Sequence, residues 1–340
     1  MKIKFESNEN YCYFFDYETG RNLTIEKTNF FLRKKGPNLL DVSITNRCNR
    51  NCDFCYRQSH INGEDISVDD YKLIIKQAKD CGVQQIAIGG GEPTIHPEFV
   101  EILRITKENG IIPNYSTNGD NLNDTILDYT QKYCGAIAIS IYDNISNYES
   151  IVLKLTEHYN IKVNLHFILR KDKIEAYTSL LKNPPDWFNK LNSIIFLNYK
   201  PANGNQEICL KNVNCDMLQL FFNSVKNFNC CGIGFDTCSV SFICKYLNID
   251  TSIFDFCEAG RKSAFINEKL DVSPCSFYTN KSDNLNNESL KKIWTSSKVF
   301  HLHRIHLSKI NRFCNNFVSC HNGCPIYEIN ACNECIPNTK

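Results

Sequence analysis

The sequence contains no run of about 18 apolar residues, so it has no segment of the kind that spans a membrane as a helix. It also lacks a charge imbalance: 38 Lys and Arg stand against 37 Asp and Glu, for a net charge of +1. That balance excludes an electrostatically driven nucleic-acid binder and a polybasic membrane binder. Met1 to Asn10 alternate charged and apolar residues and have no apolar signal core. There is no internal repeat and no block of like charge. No Ser-His-Asp or Cys-His constellation stands out. The glycine triplet Gly89-Gly90-Gly91 is followed by Glu92-Pro93, not by Lys-Ser/Thr, which argues against a phosphate-cradling loop. These absences point to a cytoplasmic chain. At 340 residues, with 42% hydrophobic and 12% aromatic residues, it is long enough for one large or two ordinary domains and too apolar for disorder.

What the sequence has in excess is cysteine, 19 in all. An odd number cannot pair completely, and a reducing compartment disfavours a disulfide framework. Metal ligands, catalytic thiols and buried packing thiols remain, and spacing separates them.

From Leu39 onward, strand-like runs alternate with helical patterns. Leu39 to Thr45 reads as a strand. Ser67 then caps a helix whose apolar face is Val68, Tyr71, Ile74, Ile75, Ala78 and Cys81, ended by Gly82. Further strands are predicted at 85–88, 111–116, 136–141, 161–169 and 193–199. Helices are predicted at 97–109, 122–133, 148–159, over about ten residues after Leu169, and at 215–228. Six strand–helix units in a row imply a parallel sheet. Six is two short of a closed eightfold barrel, so the expected fold is α/β, a partial (βα)6 TIM-like barrel with its active site at the C-terminal strand ends. The alternation fades after about residue 235. The expected organisation is a β-ribbon extension over 1–38, the barrel over 39–235, and a small cysteine-rich, metal-held domain over 236–340. Asp16 to Arg21 reads as a hairpin turn within the ribbon.

The chemistry is carried by Thr45-Asn46-Arg47-Cys48-Asn49-Arg50-Asn51-Cys52-Asp53-Phe54-Cys55-Tyr56, with the spacing C-x3-C-x2-C. Thiolates are soft ligands suited to iron–sulfur clusters. Three local thiolates on a four-iron cube leave one iron for a small molecule that binds through an amino nitrogen and a carboxylate. A zinc site is the alternative, though zinc usually takes four ligands in paired halves.

This run resembles the C-x3-C-x-aromatic-C signature of radical S-adenosylmethionine (SAM) enzymes. The resemblance implies that Cys48, Cys52 and Cys55 hold a [4Fe–4S] cluster and that Phe54 lies near the SAM adenine. It also makes Gly90, Gly91 and Glu92 the segment that receives the methionine amino group. Thr117 and Asn118 after the third strand, and Ser140 after the fourth, correspond to ribose and carboxylate contacts. Ser140-Ile141-Tyr142 departs from the Ser-x-Asp usual in the family. Arg170 after the fifth strand is placed to meet a carboxylate, and Lys200-Pro201 after the sixth to line the pocket.

A second cysteine field follows. Cys257 leads to Val272-Ser273-Pro274-Cys275, and Cys314-x5-Cys320-x3-Cys324-Pro325 is followed by Cys332-x2-Cys335. This resembles the SPASM domain, an extension that binds auxiliary [4Fe–4S] clusters. Leu270 stands where that pattern has glycine, and Asn311 where it has the first cysteine of a C-x2-C pair. By the resemblance, Cys257, Cys275 and Cys324, with Cys244 or Cys238, hold one auxiliary cluster. Cys314, Cys320, Cys332 and Cys335 hold a second. A zinc ribbon at Cys320, Cys324, Cys332 and Cys335 is the alternative. Cys12, Cys81 and Cys134 read as packing thiols, and His301, His303 and His306 as a solvated helix face.

Radical SAM enzymes with this extension typically act on peptides or proteins. The resemblance therefore implies hydrogen abstraction from a peptide, giving a crosslink, an epimer or an oxidised product. The alternative is a small-molecule substrate in cofactor or tetrapyrrole chemistry. The implied partners are a peptide substrate and an electron donor such as flavodoxin or ferredoxin, with no nucleic acid and no membrane. Thirty-eight N-terminal residues are too short for a winged-helix leader-binding domain, so the expectation is either a separate leader-binding protein or a substrate that is not a leader peptide. No residue identifies itself as the hydrogen donor.

Overall fold

Ser67 is extended and accepts a hydrogen bond from the Asp70 amide at 3.0 Å. This satisfies an orphan donor and starts helix formation where the sequence pattern places it. The computed structural model describes residues 3–27, 33, 35–247, 255–278, 282–308 and 324–327. The chain divides into two compact units. One comprises Met1–Asn51, Ser59–Ile137 and Ala259–Arg304; the other comprises Cys52–Gln58, Ala138–Glu258 and Ile305–Lys340.

The elements in chain order begin with β1 (Ile3–Ser7), β2 (Tyr11–Asp16) and β3 (Asn22–Glu26), an antiparallel three-stranded sheet. The turn at Asp16 to Arg21 forms as the sequence indicates: the Asp16 amide bonds Arg21 O at 2.9 Å, and Gly20 takes the left-handed φ of 72°. One face buries Tyr11, Tyr13 and Phe15 against Ile112, each worth about 1.5–3 kcal/mol of burial. The other face leaves Phe5, Phe14, Leu23 and Ile25 exposed, with Cys12 among them and only half-buried.

Then follow β4 (Leu39–Thr45), α1 (Val68–Asp80), β5 (Gln85–Gly90), α2 (Phe99–Glu108), β6 (Ile112–Thr117), α3 (Asp124–Tyr133) and β7 (Ile137–Ser140). Next are α4 (Glu149–Leu153), β8 (Val163–Leu169), α5 (Ile174–Lys182), β9 (Ser193–Asn198), α6 (Cys215–Asn227), β10 (Gly232–Phe235) and α7 (Val240–Tyr246). The series closes with β11 (Ser263–Ile266), β12 (Asp271–Ser273), β13 (Asp283–Asn284), α8 (Leu290–Ser296) and α9 (Lys298–Ser308).

In the first unit the strand order is β6-β5-β4-β11-β12-β13. Strand β4 is parallel to both β5 and β11, and β11-β12-β13 is an antiparallel meander. Leu40, Val42 and Ile44 of β4 are fully buried, and Ser43 and Thr45 on the other face are buried too, as a strand covered on both faces requires. In the second unit the order is β10-β9-β8-β7, and β8, β9 and β10 are parallel. Phe167 of β8 pairs with Phe196 of β9; the Phe167 ring packs on Tyr177 and Phe196, and the Phe196 ring packs in turn on Phe221 and Phe235. His166 and Ile195 share the opposite, half-buried face.

Two expectations change in detail. The helix expected over 148–159 is α4 followed by a wider π-helical turn at Lys154–His158. Strand β10 extends the parallel run beyond the six expected strands. Among the described residues no helix is long and apolar enough to cross a membrane.

Candidate active site at the strand ends

Glu92 organises the strand ends of the first unit. It follows β5 and is 1% exposed. Its Oε1 accepts from the Thr94 amide (3.1 Å), the Thr94 hydroxyl (2.7 Å) and the Thr117 hydroxyl (2.7 Å), and its Oε2 accepts from the Asn118 amide (2.7 Å). Burial raises its carboxyl above the usual range, while the donors from Asn118, Thr94 and Thr117 act in the opposite direction. The side chain is thus consumed inside the protein, where it clamps the end of β5 to the end of β6. The Gly90–Gly91 backbone is left as the part of the segment that borders the cysteine loop.

The glycines are needed there. A Cβ on Gly90 would lie 2.2 Å from Thr45 O, and one on Gly91 would lie 1.9 Å from Arg47 O. This close approach lets the Gly91 amide bond Thr45 O and the Glu92 amide bond Arg47 O, both at 2.8 Å, just before Cys48.

The cysteine loop is held from the β6 end as well. Asn118 Nδ2 donates to Asn49 Oδ1 at 2.8 Å. Arg50 donates from Nε (2.7 Å) and Nη2 (2.5 Å) to the two carboxylate oxygens of Asp120. Arg47 pairs with Asp65 and donates to Ile95 O. These anchors join residues 47–50 to the turn after β6, to Asp65 and to Ile95, and the motif pattern alone does not indicate them. Asp120 belongs to the Thr117-Asn118-Gly119-Asp120 turn, but nothing local marks it as Arg50's partner. The Arg50 amide lies 3.4 Å from Cys48 Sγ, an N–H···S contact of the sort that stabilises a cluster thiolate.

In the second unit, Cys52 and Cys55 lie on a turn closed by the Cys55 amide to Cys52 O at 3.1 Å. The Phe54 ring sits 5.5 Å from Tyr142, and the Arg170 guanidinium lies 5.1 Å over the Phe54 ring. Arg170 is also bidentate to Asp172, at 2.7 and 2.6 Å. Ser140 ends β7 and is half-buried. Lys200 is buried and bonded to Asp236 rather than lining an open pocket.

Of the cysteines expected to hold auxiliary clusters, Cys257 is buried, and Cys275 accepts from the Phe277 amide at 3.5 Å. Cys324 is buried, contacts Cys238, and accepts backbone N–H groups from Ile326 and Tyr327. Amide donors at Cys48, Cys275 and Cys324 fit iron-bound thiolates. Cys314, Cys320, Cys332 and Cys335 lie outside the described residues. Among the described residues no three or more His, Cys, Asp or Glu side chains gather within reach of a single metal ion. A four-iron cube instead takes each thiolate at its own corner. Cys81 is a buried thiol as the sequence indicates, and burial raises both Cys81, to about 11, and Cys134. The expectation for His303 is overturned: it is buried, edge-on to Tyr278, whereas His301 and His306 are exposed.

Comparison with known proteins agrees with this architecture. Residues 42–170 match the Radical SAM superfamily, and residues 257–325 match the SPASM iron–sulfur cluster-binding domain. The chain is therefore a radical SAM protein. Within that superfamily it belongs with the proteins that carry a SPASM extension, so its cofactors are SAM, a [4Fe–4S] cluster and auxiliary iron–sulfur clusters.

A probable GTP 3',8-cyclase of Pyrococcus abyssi is 33% identical over 84 residues, 24% of this chain and 28% of that protein. A tungsten-containing aldehyde ferredoxin oxidoreductase cofactor-modifying protein of Pyrococcus furiosus is 39% identical over 93 residues, 26% of each chain. The chain thus spans little more than a quarter of the length of these relatives. Streptococcus suis SuiB bound to S-adenosylmethionine superposes with a TM-score of 0.69 at 19% identity, covering 88% of this chain and 77% of SuiB. The anSMEcpe structure with bound AdoMet and a Cp18Cys peptide gives 0.64 at 16% identity, covering 87% and 94%. These likenesses establish the fold, a TIM-like partial barrel with a C-terminal SPASM domain.

Proposed function

We propose that this chain is a peptide-modifying radical SAM enzyme. The observation that carries the reading is the pairing of a radical SAM domain with a SPASM domain in a fold shared, over 88% of the chain, with SuiB, a protein solved bound to its precursor peptide SuiA. The small-molecule alternative rests on sequence matches confined to about a quarter of the chain and is not favoured.

When bound, the cluster and SAM supply a 5′-deoxyadenosyl radical, made by one-electron cleavage of the sulfonium. The protein supplies placement. Cys48, Cys52 and Cys55 would hold the cluster. The Gly90–Gly91 backbone, fixed by Glu92, borders the cluster loop and receives the methionine end. Phe54, packed between Tyr142 and Arg170, forms the adenine side. Thr117, Asn118 and Ser140 complete the ribose and carboxylate end. The hydrogen atom taken would be one on a peptide side chain or Cα; a crosslink or an oxidised product would require an auxiliary cluster to accept the second electron, and an epimer would require a hydrogen donor. An electron donor of the flavodoxin or ferredoxin class and a separate leader-binding protein complete the system, in a cytoplasmic setting.

The test is anaerobic reconstitution with iron and sulfide, then SAM and dithionite. The chain is expected to release 5′-deoxyadenosine; no release refutes the enzyme reading. Joint Cys48→Ala, Cys52→Ala and Cys55→Ala substitution is expected to abolish that release and leave auxiliary iron bound. A mass shift on a precursor peptide, absent without SAM, separates the peptide reading from the small-molecule one.

A further inference from the structure

The second unit buries a charged group that the chemistry above does not use. Lys200, just after β9, has a side chain only 6% exposed. Its Nζ donates to Asp236 Oδ2 at 2.5 Å and to Asn198 O at 2.9 Å. Asp236 follows β10 and is fixed in turn: its amide bonds Phe196 O at 3.0 Å, and its Oδ1 accepts from the Ser239 hydroxyl at 2.7 Å. Two residues on is Cys238, whose carbonyl accepts from Asn198 Nδ2 at 3.3 Å and whose thiol hydrogen-bonds Cys324. Cys324 also accepts the Ile326 and Tyr327 amides. An ammonium and a carboxylate are thus locked at the ends of β9 and β10, and a chain of contacts runs from there through Cys238 to Cys324.

An isolated buried ammonium is costly, and one aspartate partner seldom repays the desolvation of both ions. Two thiols become two negative charges once they ligate iron, and the ammonium then neutralises charge that Asp236 alone does not account for. Net charge near a cluster is one of the terms that sets its potential.

We infer that Cys238 and Cys324 ligate one auxiliary cluster and that Lys200 is the fixed cation raising its reduction potential. The inference rests on the SPASM assignment, not on the peptide reading. Reduction adds one electron and one negative charge to the cluster, drawn from a low-potential donor, and breaks no bond. Lys200 acts through electrostatics, as a positioning residue locked by Asp236.

The experiment uses the full chain carrying Cys48→Ala, Cys52→Ala and Cys55→Ala, reconstituted with iron and sulfide, so that only auxiliary clusters contribute. Dithionite titration is followed by electron paramagnetic resonance, with iron counted per chain. Lys200→Met is expected to cut the reduced-to-oxidised ratio at fixed potential about tenfold, or about 59 mV for one electron. Lys200→Arg is expected to restore it. Asp236→Asn, which keeps the cation, is expected to raise the ratio, and this arm stands even if Lys200→Met fails to fold. Cys238→Ser is expected to lower iron content or change the spectrum. An unchanged potential in both Lys200→Met and Asp236→Asn overturns the role of Lys200. An unchanged spectrum and iron count in Cys238→Ser overturns the ligand assignment. No iron in the triple-alanine background overturns the auxiliary cluster itself, and this inference with it.

Discussion

Arg50, between the first two cysteines of the signature, is bidentate to Asp120, which follows β6 by three residues. The pair ties the loop that carries Cys48 to the turn whose Asn118 holds Asn49. An ion pair this exposed contributes about 0–1 kcal/mol to folding, so its value lies in loop placement. Asp120→Ala is expected to leave the thermal midpoint nearly unchanged but to weaken iron retention at the signature cysteines about tenfold, as loss of an outer-shell partner does. Iron release to a chelator measures it. The swap Arg50→Asp with Asp120→Arg is expected to recover part of the loss; equal release from wild type and Asp120→Ala would remove this role.

Glu92 is a stability residue before it is anything else. Two of its four donors, the Thr94 and Asn118 amides, cannot reverse their roles, so the carboxylate must accept at both oxygens. Glu92→Gln turns one oxygen into a donor that faces a donor. The expected cost is about 1–3 kcal/mol, read as a lower urea midpoint at unchanged slope, accompanied by slower SAM cleavage as Thr117 and Asn118 shift. A neutral outcome would mean that Glu92 is protonated in the folded chain.

The parts of this molecule legible in the sequence are those fixed by local periodicity and capping. Ser67 signals its helix through its own hydroxyl, and Leu40, Val42 and Ile44 read as a strand because they alternate with period two. The cysteine signature is legible because its three ligands are neighbours in the chain. Strand β10 is not legible: Gly232 and Gly234 occupy alternate positions of a four-residue strand and leave no pattern. The clamp role of Glu92 and the Arg50–Asp120 pair join residues 25 to 70 positions apart, and no spacing rule spans such distances; the meeting of Cys238 with Cys324 is offered by the SPASM resemblance alone, as one of two choices. His303 escaped for a related reason. Its helix is apolar on the side that packs on Tyr278, and a histidine there looks the same in sequence as one facing water.

His166, on the half-buried face of β8, provides a pH test. Burial lowers its ring to about 4, with Asp236 acting weakly the other way. Its unfolded value is about 6.5. A depressed folded pKa means that the unfolded chain binds the proton first. Stability from this residue is therefore complete above about pH 6.5 and is lost as pH falls toward 4. Denaturant midpoints between those values are expected to decline, and His166→Gln is expected to flatten the decline. An imidazole titrating near 6.5 in the folded chain by NMR would show that the ring is hydrated and carries no such linkage.

Leu270 shows which of two opposed effects wins. It closes the turn between β11 and β12 at φ 65°, a left-handed conformation that costs a residue with a Cβ about 1–2 kcal/mol. Glycine is the usual answer there, and this chain keeps leucine. The side chain is 2% exposed, and its carbonyl accepts the Leu285 amide at 3.0 Å, so it seals the meander that leads to Cys275. Truncating a leucine buried to this degree costs about 2–5 kcal/mol, more than relief of the backbone returns. Leu270→Gly is therefore expected to destabilise the chain by about 1–3 kcal/mol. Leu270→Ala, which loses the packing and keeps the strained φ, is expected to be worse by about a further 1 kcal/mol. Urea unfolding orders the three, wild type above Gly above Ala. A Leu270→Gly chain as stable as wild type would show that burial of this side chain does not hold the hairpin in place.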